Sequence, residues 1–314
     1  MPPDDAHLSM MLPDGVMRVL APNPSPMTGP GTTTYLVAAT SPNEQIGCVV
    51  IDPGPRIEAH LAAVAHEGAA HGGVRAILIT HGHPDHVEGA ARLRELTGAS
   101  VLAWSREGSP AADRTLVEGE VIVVGARTLR ALHTPGHRFD HLCFLLEDAQ
   151  ALFAGDLVAG VGTVVIAPPE GDMSAYLASL RRLLTLDLRL ILPAHGPTIP
   201  QPRALLENYI QHREDRERQV LAALTDEPQT INMLVAAIYT DVDPKLHPIA
   251  AYSVQAHLLK LAAEGRAVQV DDLSPSPFPT GRGEPDALPA ESLVALVEGG
   301  GSVAPIGEEQ WRLA

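Results

Sequence analysis

The chain has 314 residues, of which 45% are hydrophobic but only 4% aromatic, so it can bury a sizeable core made mainly of aliphatic side chains. Its formal net charge is −16, which disfavours long-range attraction to nucleic-acid phosphates. No apolar run approaches the roughly 18 residues of a membrane helix, and the first residues lack a basic-then-apolar signal pattern, so we expect a cytoplasmic protein with no membrane partner.

Three strands are predicted before the first candidate site residue, at 17–20, 33–39 and 47–51. A segment rich in Pro and Gly, residues 21–31, connects the first two strands. We interpret it either as a rim that faces a substrate or as a plain connection. Asp52 follows the third strand, and it is either an ordinary turn residue or a carboxylate that supports a metal-bound histidine.

A cluster of histidines follows the next predicted strand, residues 76–79, and precedes a helical pattern at 87–96. Its sequence is Thr80-His81-Gly82-His83-Pro84-Asp85-His86. Neutral imidazole and carboxylate are ligands for zinc and similar divalent ions. On an extended loop, His81 and His83 point to the same side, while Asp85 and His86 face a second point a few ångströms away. One loop can therefore supply ligands to two neighbouring ions, as in two-metal hydrolytic sites.

Three later residues of the same chemical type each follow an apolar strand. His137 comes after the strand near residue 130, Asp156 ends the apolar run Ala-Leu-Phe-Ala-Gly, and His195 follows Leu-Ile-Leu-Pro-Ala. In layered α/β folds, ligands gather at the ends of strands. We therefore expect these three side chains to meet the histidine cluster in one metal centre.

The charged, mixed-sign helix predicted near residue 210 separates two regions of different pattern. The expected organisation is a catalytic domain, a connecting helix and a small C-terminal domain, at residues 1–200, 201–224 and 225–314. The small domain shows two helices followed by a strand, at 230–239, 251–264 and 266–270. This order is the outline of a winged helix. Residues 271–301 are acidic and rich in Pro, Ser and Gly, and we interpret them as a flexible insertion before a returning strand that carries Trp311.

The predicted winged helix is a weak candidate for DNA recognition. In DNA-binding winged helices the second helix enters the groove, but here that helix offers mainly His257 and Lys260. No sequence-specific DNA binding is expected. A structural, oligomerising or site-covering role is favoured, so a homo-oligomer stays open.

Four motifs in order resemble those of the metallo-β-lactamase superfamily: Thr-His-Gly-His-Pro-Asp-His at 80–86, Thr-Pro-Gly-His at 134–137, Phe-Ala-Gly-Asp at 153–156 and Pro-Ala-His-Gly at 193–196. The resemblance implies an α/β fold, an αβ/βα sandwich, with a binuclear metal site. It implies that one ion is held by His81, His83 and His137, the other by Asp85, His86 and His195, and that Asp156 bridges them.

Three further residues are placed by the same resemblance. Asp52 fits the leading structural Asp of the family. Arg138 departs from the family pattern, which often has a small hydroxyl residue there, and it alters the charge beside the site. His141 is not a ligand in the family pattern, and we interpret it as a residue that supports a ligand or assists the leaving group.

A narrower resemblance, to one subgroup of the family, does not decide between two activities. Residues 23–28, 31–37 and 209–216 are similar to the β-lactamase-like protein 2 subgroup. The resemblance implies an endoribonuclease acting on single-stranded RNA, as in the animal member, or a thioesterase that releases polyketides from carrier proteins, as in fungal members.

The expected function is metal-dependent hydrolysis by a metal-bound hydroxide, with Asp85 as a ligand and as the catalytic residue that orients the nucleophile. We favour a phosphodiesterase of the endoribonuclease type. The alternative is a thioesterase or ester hydrolase acting on an acyl-carrier, acyl-CoA or small ester substrate, and the third interpretation is a non-catalytic nucleic-acid-binding module. Two divalent ions are expected as cofactors, Zn²⁺ in the first place, although Mn²⁺ or Fe also suits these ligands.

Overall fold

The computed structural model describes residues 12–40, 46–270, 306 and 309–314. Contacts divide the chain into two compact units. The first unit comprises the residues up to 164 and residues 170–211, and the second comprises residues 165–169 and those from 212 onwards. The insertion predicted at 271–301 lies outside the described residues.

The first unit begins with a mixed sheet of six strands, whose spatial order is their order in the chain. The strands are β1 (Val16–Leu20), β2 (Thr33–Ala38), β3 (Cys48–Ile51), β4 (Val74–Leu78), β5 (Ser100–Ala103) and β6 (Arg114–Thr115). The first three pair antiparallel and the rest pair parallel. Parallel neighbours need crossover connections, which are α1 (Glu58–Ala70) before β4 and the pair α2 (Pro84–Val87) and α3 (Ala90–Thr97) before β5.

A second mixed sheet has five strands in the order β11-β10-β9-β8-β7. These are β7 (Val121–Val124), β8 (Arg127–His133), β9 (Leu142–Leu146), β10 (Ala151–Gly155) and β11 (Leu190–Pro193). Strands β7 to β10 form an antiparallel meander, and β11 pairs parallel with β10 after the helix α4 (Met173–Leu183). The parallel pairing places the ends of β10 and β11 side by side.

The two sheets face each other across one apolar cluster. Tyr35 of β2 and Phe153 of β10 meet edge to face there, with ring centroids 5.2 Å apart. A second cluster packs Leu61 of α1 and Leu93 of α3 against the other face of the first sheet. The sheets supply a rigid base for the loops at their ends, and this arrangement confirms the predicted sandwich.

The helix predicted at residues 87–96 is interrupted. The structure has two helices, α2 and α3, separated at Glu88 and Gly89. The backbone N–H of Gly89 donates to Gly54 O (2.9 Å) instead of continuing the helical ladder. A Cβ at Gly89 would lie 2.9 Å from the backbone oxygen of Gly54, so this close approach requires glycine. A sequence period does not reveal such a tertiary hydrogen bond.

The second unit has a three-stranded sheet beside three helices. Its elements after the long helix α5 (Pro202–Ala223) are β12 (Gln229–Thr230), α6 (Ile231–Ile238), a short 3₁₀ helix (Pro244–Leu246), α7 (His247–Ala263), β13 (Ala267–Val270) and β14 (Gln310–Leu313). Strand β14 lies between β12 and β13 and is antiparallel to both. The fully buried indole of Trp311 packs with Leu234, Val254 and Leu258. The predicted winged-helix-like domain and its returning strand are therefore present.

Helix α7 begins four residues before its predicted start at 251, because Pro248 is well suited to the first helical turn. Among the described residues, no helix is both long and apolar enough to cross a bilayer.

Replacing Trp311 by Ala should destabilise the second unit by about 3–5 kcal/mol, because the change removes a buried aromatic side chain and leaves a cavity. Hydrogen exchange measured by mass spectrometry should then show faster exchange of amides in α6 and α7. Arg312→Ala, an exposed position on the same strand, is the control and should leave exchange unchanged. Equal protection in the Trp311 variant would contradict the assigned packing.

Candidate metal centre

The seven predicted ligands lie in the segments that follow four strands. His81 and His83 follow β4, His137 follows β8, Asp156 follows β10 and His195 follows β11, while Asp85 and His86 lie in the first turn of α2. Their ligand atoms form two groups, each with all its atoms within 4.8 Å of one another. The first group is His81, His83, His137 and Asp156, and the second is Asp85, His86 and His195. The structure therefore brings all seven together.

In the first group, three ring nitrogens face a common point. His83 Nδ1 lies 2.9 Å from His81 Nε2 and 3.0 Å from His137 Nε2. His81 and His137 are buried, and His83 is half-buried. A neutral imidazole has one N–H and one lone pair, so three converging nitrogens form the donor set that a cation such as zinc requires.

The Asp156 carboxylate faces both groups. Its Oδ2 lies 3.8 Å from His137 Nε2 in the first group. Its Oδ1 lies 3.5 Å from His86 Nε2 and 3.2 Å from His195 Nε2 in the second. The same two histidine nitrogens lie 3.5 and 3.4 Å from Asp85 Oδ2. One oxygen of Asp156 for each group is the placement that a bridging carboxylate needs.

Asp52 fixes the tautomer of one histidine in each group. Its Oδ2 accepts hydrogen bonds from His86 Nδ1 and from Thr80 Oγ1 (both 2.7 Å), and its Oδ1 accepts from Thr80 N (2.8 Å). Because the single hydroxyl proton of Thr80 goes to Asp52, Thr80 Oγ1 accepts from His81 Nδ1 (3.0 Å). With their Nδ1 protons held in this way, the rings of His81 and His86 would offer Nε2 to an ion at the centre. Asp52 does this from a left-handed backbone, φ 51°, which is uncommon for a non-glycine residue.

The charge state of the centre suits divalent ions. Burial, and then the neighbouring rings, lowers the pKa of His81 and His83 well below the usual value, so both are neutral near pH 7. Burial alone would lower the pKa of His195, but Asp156 and Asp85 raise it to about 10. Burial would likewise raise the pKa of Asp85, yet His86 and His195 hold it below its usual range. The carboxylates thus favour positive charge between them, and a bound cation supplies such charge.

Two buried atoms test most directly whether the residues of the centre suit metal ions. His86 Nε2 and Asp156 Oδ1 have no hydrogen-bond partner among the described residues, although buried polar atoms are normally paired. A metal ion would satisfy both. The neutral rings of His81 and His83, the ionised carboxylates and these unpartnered buried atoms together fit two divalent ions.

His141 lies behind Asp156 and has no exposed surface. Its Nε2 accepts from the backbone N–H of Asp156 (3.2 Å), and its Nδ1 faces Thr134 Oγ1 (2.9 Å). The structure thus places His141 against the backbone of Asp156, and both of its ring nitrogens have partners within the protein.

Arg138, the departure from the family pattern, is buried beside His137. Its Nε donates to Asp140 Oδ1 (2.8 Å), and its Nη1 donates to Glu170. Two carboxylates therefore compensate its charge. The sequence alone does not pair Arg138 with Glu170, because they lie on different loops.

Sequence reasoning missed two threonines that contact the predicted residues. Thr80 links Asp52 to His81, and Thr32 Oγ1 donates to Asp85 Oδ2 (2.8 Å). Thr80 directly precedes the histidine cluster, which was a local signal. Thr32 belongs to a recognised motif, but 53 residues separate it from Asp85.

Two family models match the chain. Residues 27–195 match the one described as the metallo-beta-lactamase superfamily, and residues 230–275 match the beta-lactamase associated winged helix domain. The chain belongs to the metallo-beta-lactamase superfamily, and it is therefore a hydrolase of the metal-dependent class, whose fold implies divalent ions.

Similar proteins include an insect relative and fungal relatives. The chain is 32% identical to the beta-lactamase-like protein 2 homolog of Drosophila melanogaster, over 81% of this chain and 90% of that protein. It is 35% identical to the atrochrysone carboxyl ACP thioesterase of Aspergillus fumigatus, over 71% of this chain and 68% of that protein. Two other fungal relatives, at 38% identity, are longer, and the chain spans 63% of their length.

Among solved structures, a metallo-beta-lactamase family protein from Thermus thermophilus is similar in fold, with a TM-score of 0.68 at 24% identity. The match covers 82% of this chain and 96% of that chain.

Asp156→Ala should reduce the divalent metal bound per chain, because Asp156 offers one oxygen to each group. Elemental analysis after gel filtration measures this content. Asp187→Ala, which removes an exposed carboxylate bonded to Gln150, is the control and should keep the metal content of the unmodified chain. Unchanged metal content in the Asp156 variant would rule out a bridging role.

Asp52→Asn should weaken metal binding by about 10–100-fold, the usual effect of changing a residue that orients a ligand. Asn tolerates the left-handed backbone, but its amide nitrogen cannot accept the hydrogen bonds that His81 and His86 depend on. Competition with a chromogenic chelator measures the affinity. Asp113→Asn is a matched control, because Asp113 also accepts a backbone N–H, from Val101, but at an exposed site. Equal affinities of the two variants would contradict the role of Asp52.

Proposed function

We propose that this chain is a binuclear metal-dependent hydrolase that cleaves an acyl thioester or a related carbonyl ester. The observation that carries the hydrolase assignment is the placement of Asp156, with one oxygen toward each group of histidines. The complete ligand set and the family membership favour an enzyme over a non-catalytic nucleic-acid-binding module.

The proposed ligands are those of the two groups, with His81, His83 and His137 at one ion, Asp85, His86 and His195 at the other, and Asp156 between them. Zn²⁺ is the proposed ion at both positions, since imidazole nitrogens and carboxylate oxygens make up its usual four-ligand sets. When bound, the two ions would activate a water molecule near neutral pH and polarise the substrate carbonyl.

Asp85 is the proposed catalytic residue among these side chains. Its side chain is 27% exposed, against 15% for Asp156 and 3% for Asp52. It is therefore the carboxylate of the three that a water molecule reaches most easily. Asp85 accepts a hydrogen bond from the attacking water and orients it, while Asp52 and His141 hold the other groups in place.

The surroundings of the site favour an uncharged acyl substrate. Met27 is 41% exposed on the loop that ends at Thr32, and Val161 is 75% exposed on the loop that follows Asp156. Both loops contact the centre, through Thr32 to Asp85 and through Gly160 N to His195 O (2.8 Å). Exposed apolar side chains on loops that contact the site suit an acyl chain.

Charge points the same way. The chain has a formal net charge of −16, and two carboxylates compensate Arg138 beside the centre. A polyanion would gain little attraction from such surroundings. The similarity to a fungal carrier-protein thioesterase supports the same substrate class.

The second candidate is cleavage of single-stranded RNA. The alignment with the beta-lactamase-like protein 2 homolog favours it, because that match spans 90% of the relative's length. The subgroup resemblance implies endoribonuclease activity, and the metal ligands suit phosphoryl as well as acyl transfer.

An activity panel separates these candidates. The zinc-loaded full chain should hydrolyse acyl-CoA thioesters of graded chain length, and Asp85→Asn should reduce kcat by about 10²–10⁴-fold, the range for a positioned acid–base group. Asp187→Asn is the control and should keep full activity. End-labelled single-stranded RNA is tested in parallel.

RNA cleavage that is lost in the Asp85 variant would favour the second candidate, whereas cleavage that survives would indicate a contaminating nuclease. A chain with two bound ions and no activity on any thioester would overturn the proposed substrate class.

A further inference from the structure

The Pro- and Gly-rich segment that follows β1 is a closed turn held by its own side chains. Ser25 Oγ accepts from Thr28 N (3.0 Å), and Thr28 Oγ1 donates to Asn23 O (2.6 Å). At its base, Ala21 N donates to Thr32 O (2.8 Å). The segment therefore has one shape and ends with Thr32 at a fixed position.

Gly31 makes this shape attainable. Its φ is +143°, and a Cβ there would lie 2.0 Å from Ala21 O and 3.1 Å from Asn23 Oδ1. A side chain at this position would push Asn23 away from Thr32.

The hydrogen bonds between Asn23 and Thr32 have a fixed direction. The backbone N–H of Thr32 donates to the amide of Asn23 (2.9 Å), so the facing atom is the acceptor Oδ1. The atom of Asn23 that faces Thr32 Oγ1 (3.0 Å) is therefore Nδ2, which only donates. With its oxygen accepting from Asn23, the Thr32 hydroxyl has its one proton free to donate elsewhere.

That proton goes to Asp85. Thr32 Oγ1 lies 2.8 Å from Asp85 Oδ2, the oxygen that also faces His86 and His195. Thr32 has no exposed surface, so it touches the carboxylate but not a substrate. A hydrogen bond to an ionised acceptor is among the stronger ones in proteins.

We infer that Thr32, oriented by Asn23, is a positioning residue that fixes the rotamer of Asp85. The side chain of Asp85 has two rotatable torsions, and the Thr32 hydroxyl restrains both by holding one oxygen from outside the centre. The segment before Thr32 thus affects the reaction by positioning Asp85. This effect is separate from any contact between the outer surface of the segment and a substrate. This inference rests on the proposed function in that Asp85 is the ligand and the water-orienting group.

Three variants isolate the hydroxyl. Thr32→Val keeps the shape but removes the donor, and Thr32→Ser restores it. Thr28→Val is the matched control, because it removes a hydroxyl of the same turn that donates to Asn23 O and not to Asp85. Asn23→Asp is a second route if Thr32→Val does not fold, since its second oxygen would compete with Asp85 for the Thr32 proton.

The first readout needs no metal. In crystals of metal-stripped protein, the Asp85 carboxylate should rotate away from its present position in Thr32→Val and Asn23→Asp, and stay in Thr32→Ser and Thr28→Val. The second readout is the visible spectrum of the Co²⁺-loaded chain, which should shift in the same two variants only. With a thioester substrate, kcat should fall by about 10–100-fold in those variants, while KM stays unchanged because Thr32 is buried.

An unmoved Asp85 and an unshifted Co²⁺ spectrum in Thr32→Val would overturn the inference. Equal effects of Thr28→Val and Thr32→Val would also overturn it, because the shape of the turn and not the hydroxyl would then hold Asp85. If the unmodified chain bound no Co²⁺ and hydrolysed nothing, the proposed function would fail, and the metal-free crystals would still decide the role of Thr32.

Discussion

The site depends on one buried carboxylate, that of Asp52 at the end of β3. It accepts three hydrogen bonds, from Thr80 N, Thr80 Oγ1 and His86 Nδ1, and burial of a carboxylate is costly without such partners. Through Thr80 it also determines the tautomer of His81. One residue thus sets which nitrogen one histidine of each group presents, and the left-handed backbone of Asp52 is the local strain that accompanies this arrangement.

The ligands are held from behind by separate parts of the first unit. Asp52 after β3 holds His81 and His86, Thr32 before β2 holds Asp85, and His141 before β9 holds the backbone of Asp156. Because each support comes from another element, the loss of one should loosen only the ligands that it contacts and leave the rest in place. This layered support is what a preorganised centre requires.

The sequence predicted which candidate ligands lie together better than it predicted the residues that hydrogen-bond to them. The histidine cluster and the strand ends were predictable because each motif is local and each strand is an apolar run. The bond from Thr32 to Asp85 and the pairing of Arg138 with Glu170 were not, since they join residues that only the tertiary fold brings together. The break before α3 depends in the same way on Gly89 bonding to Gly54. The two-residue strands β6 and β12 are too short to show a period.

The position of β14 at the end of the chain means that the small sheet is completed last during synthesis. This strand is the central strand of the small sheet, yet Gln310 is synthesised long after β12 and β13. On the ribosome, the first unit can assemble while this sheet still lacks its middle strand, and Trp311 cannot yet fill the apolar cluster beneath α7. The second unit becomes complete only when β14 pairs with both of its neighbours. During that interval its unpaired strand edges and open apolar cluster are exposed to other chains.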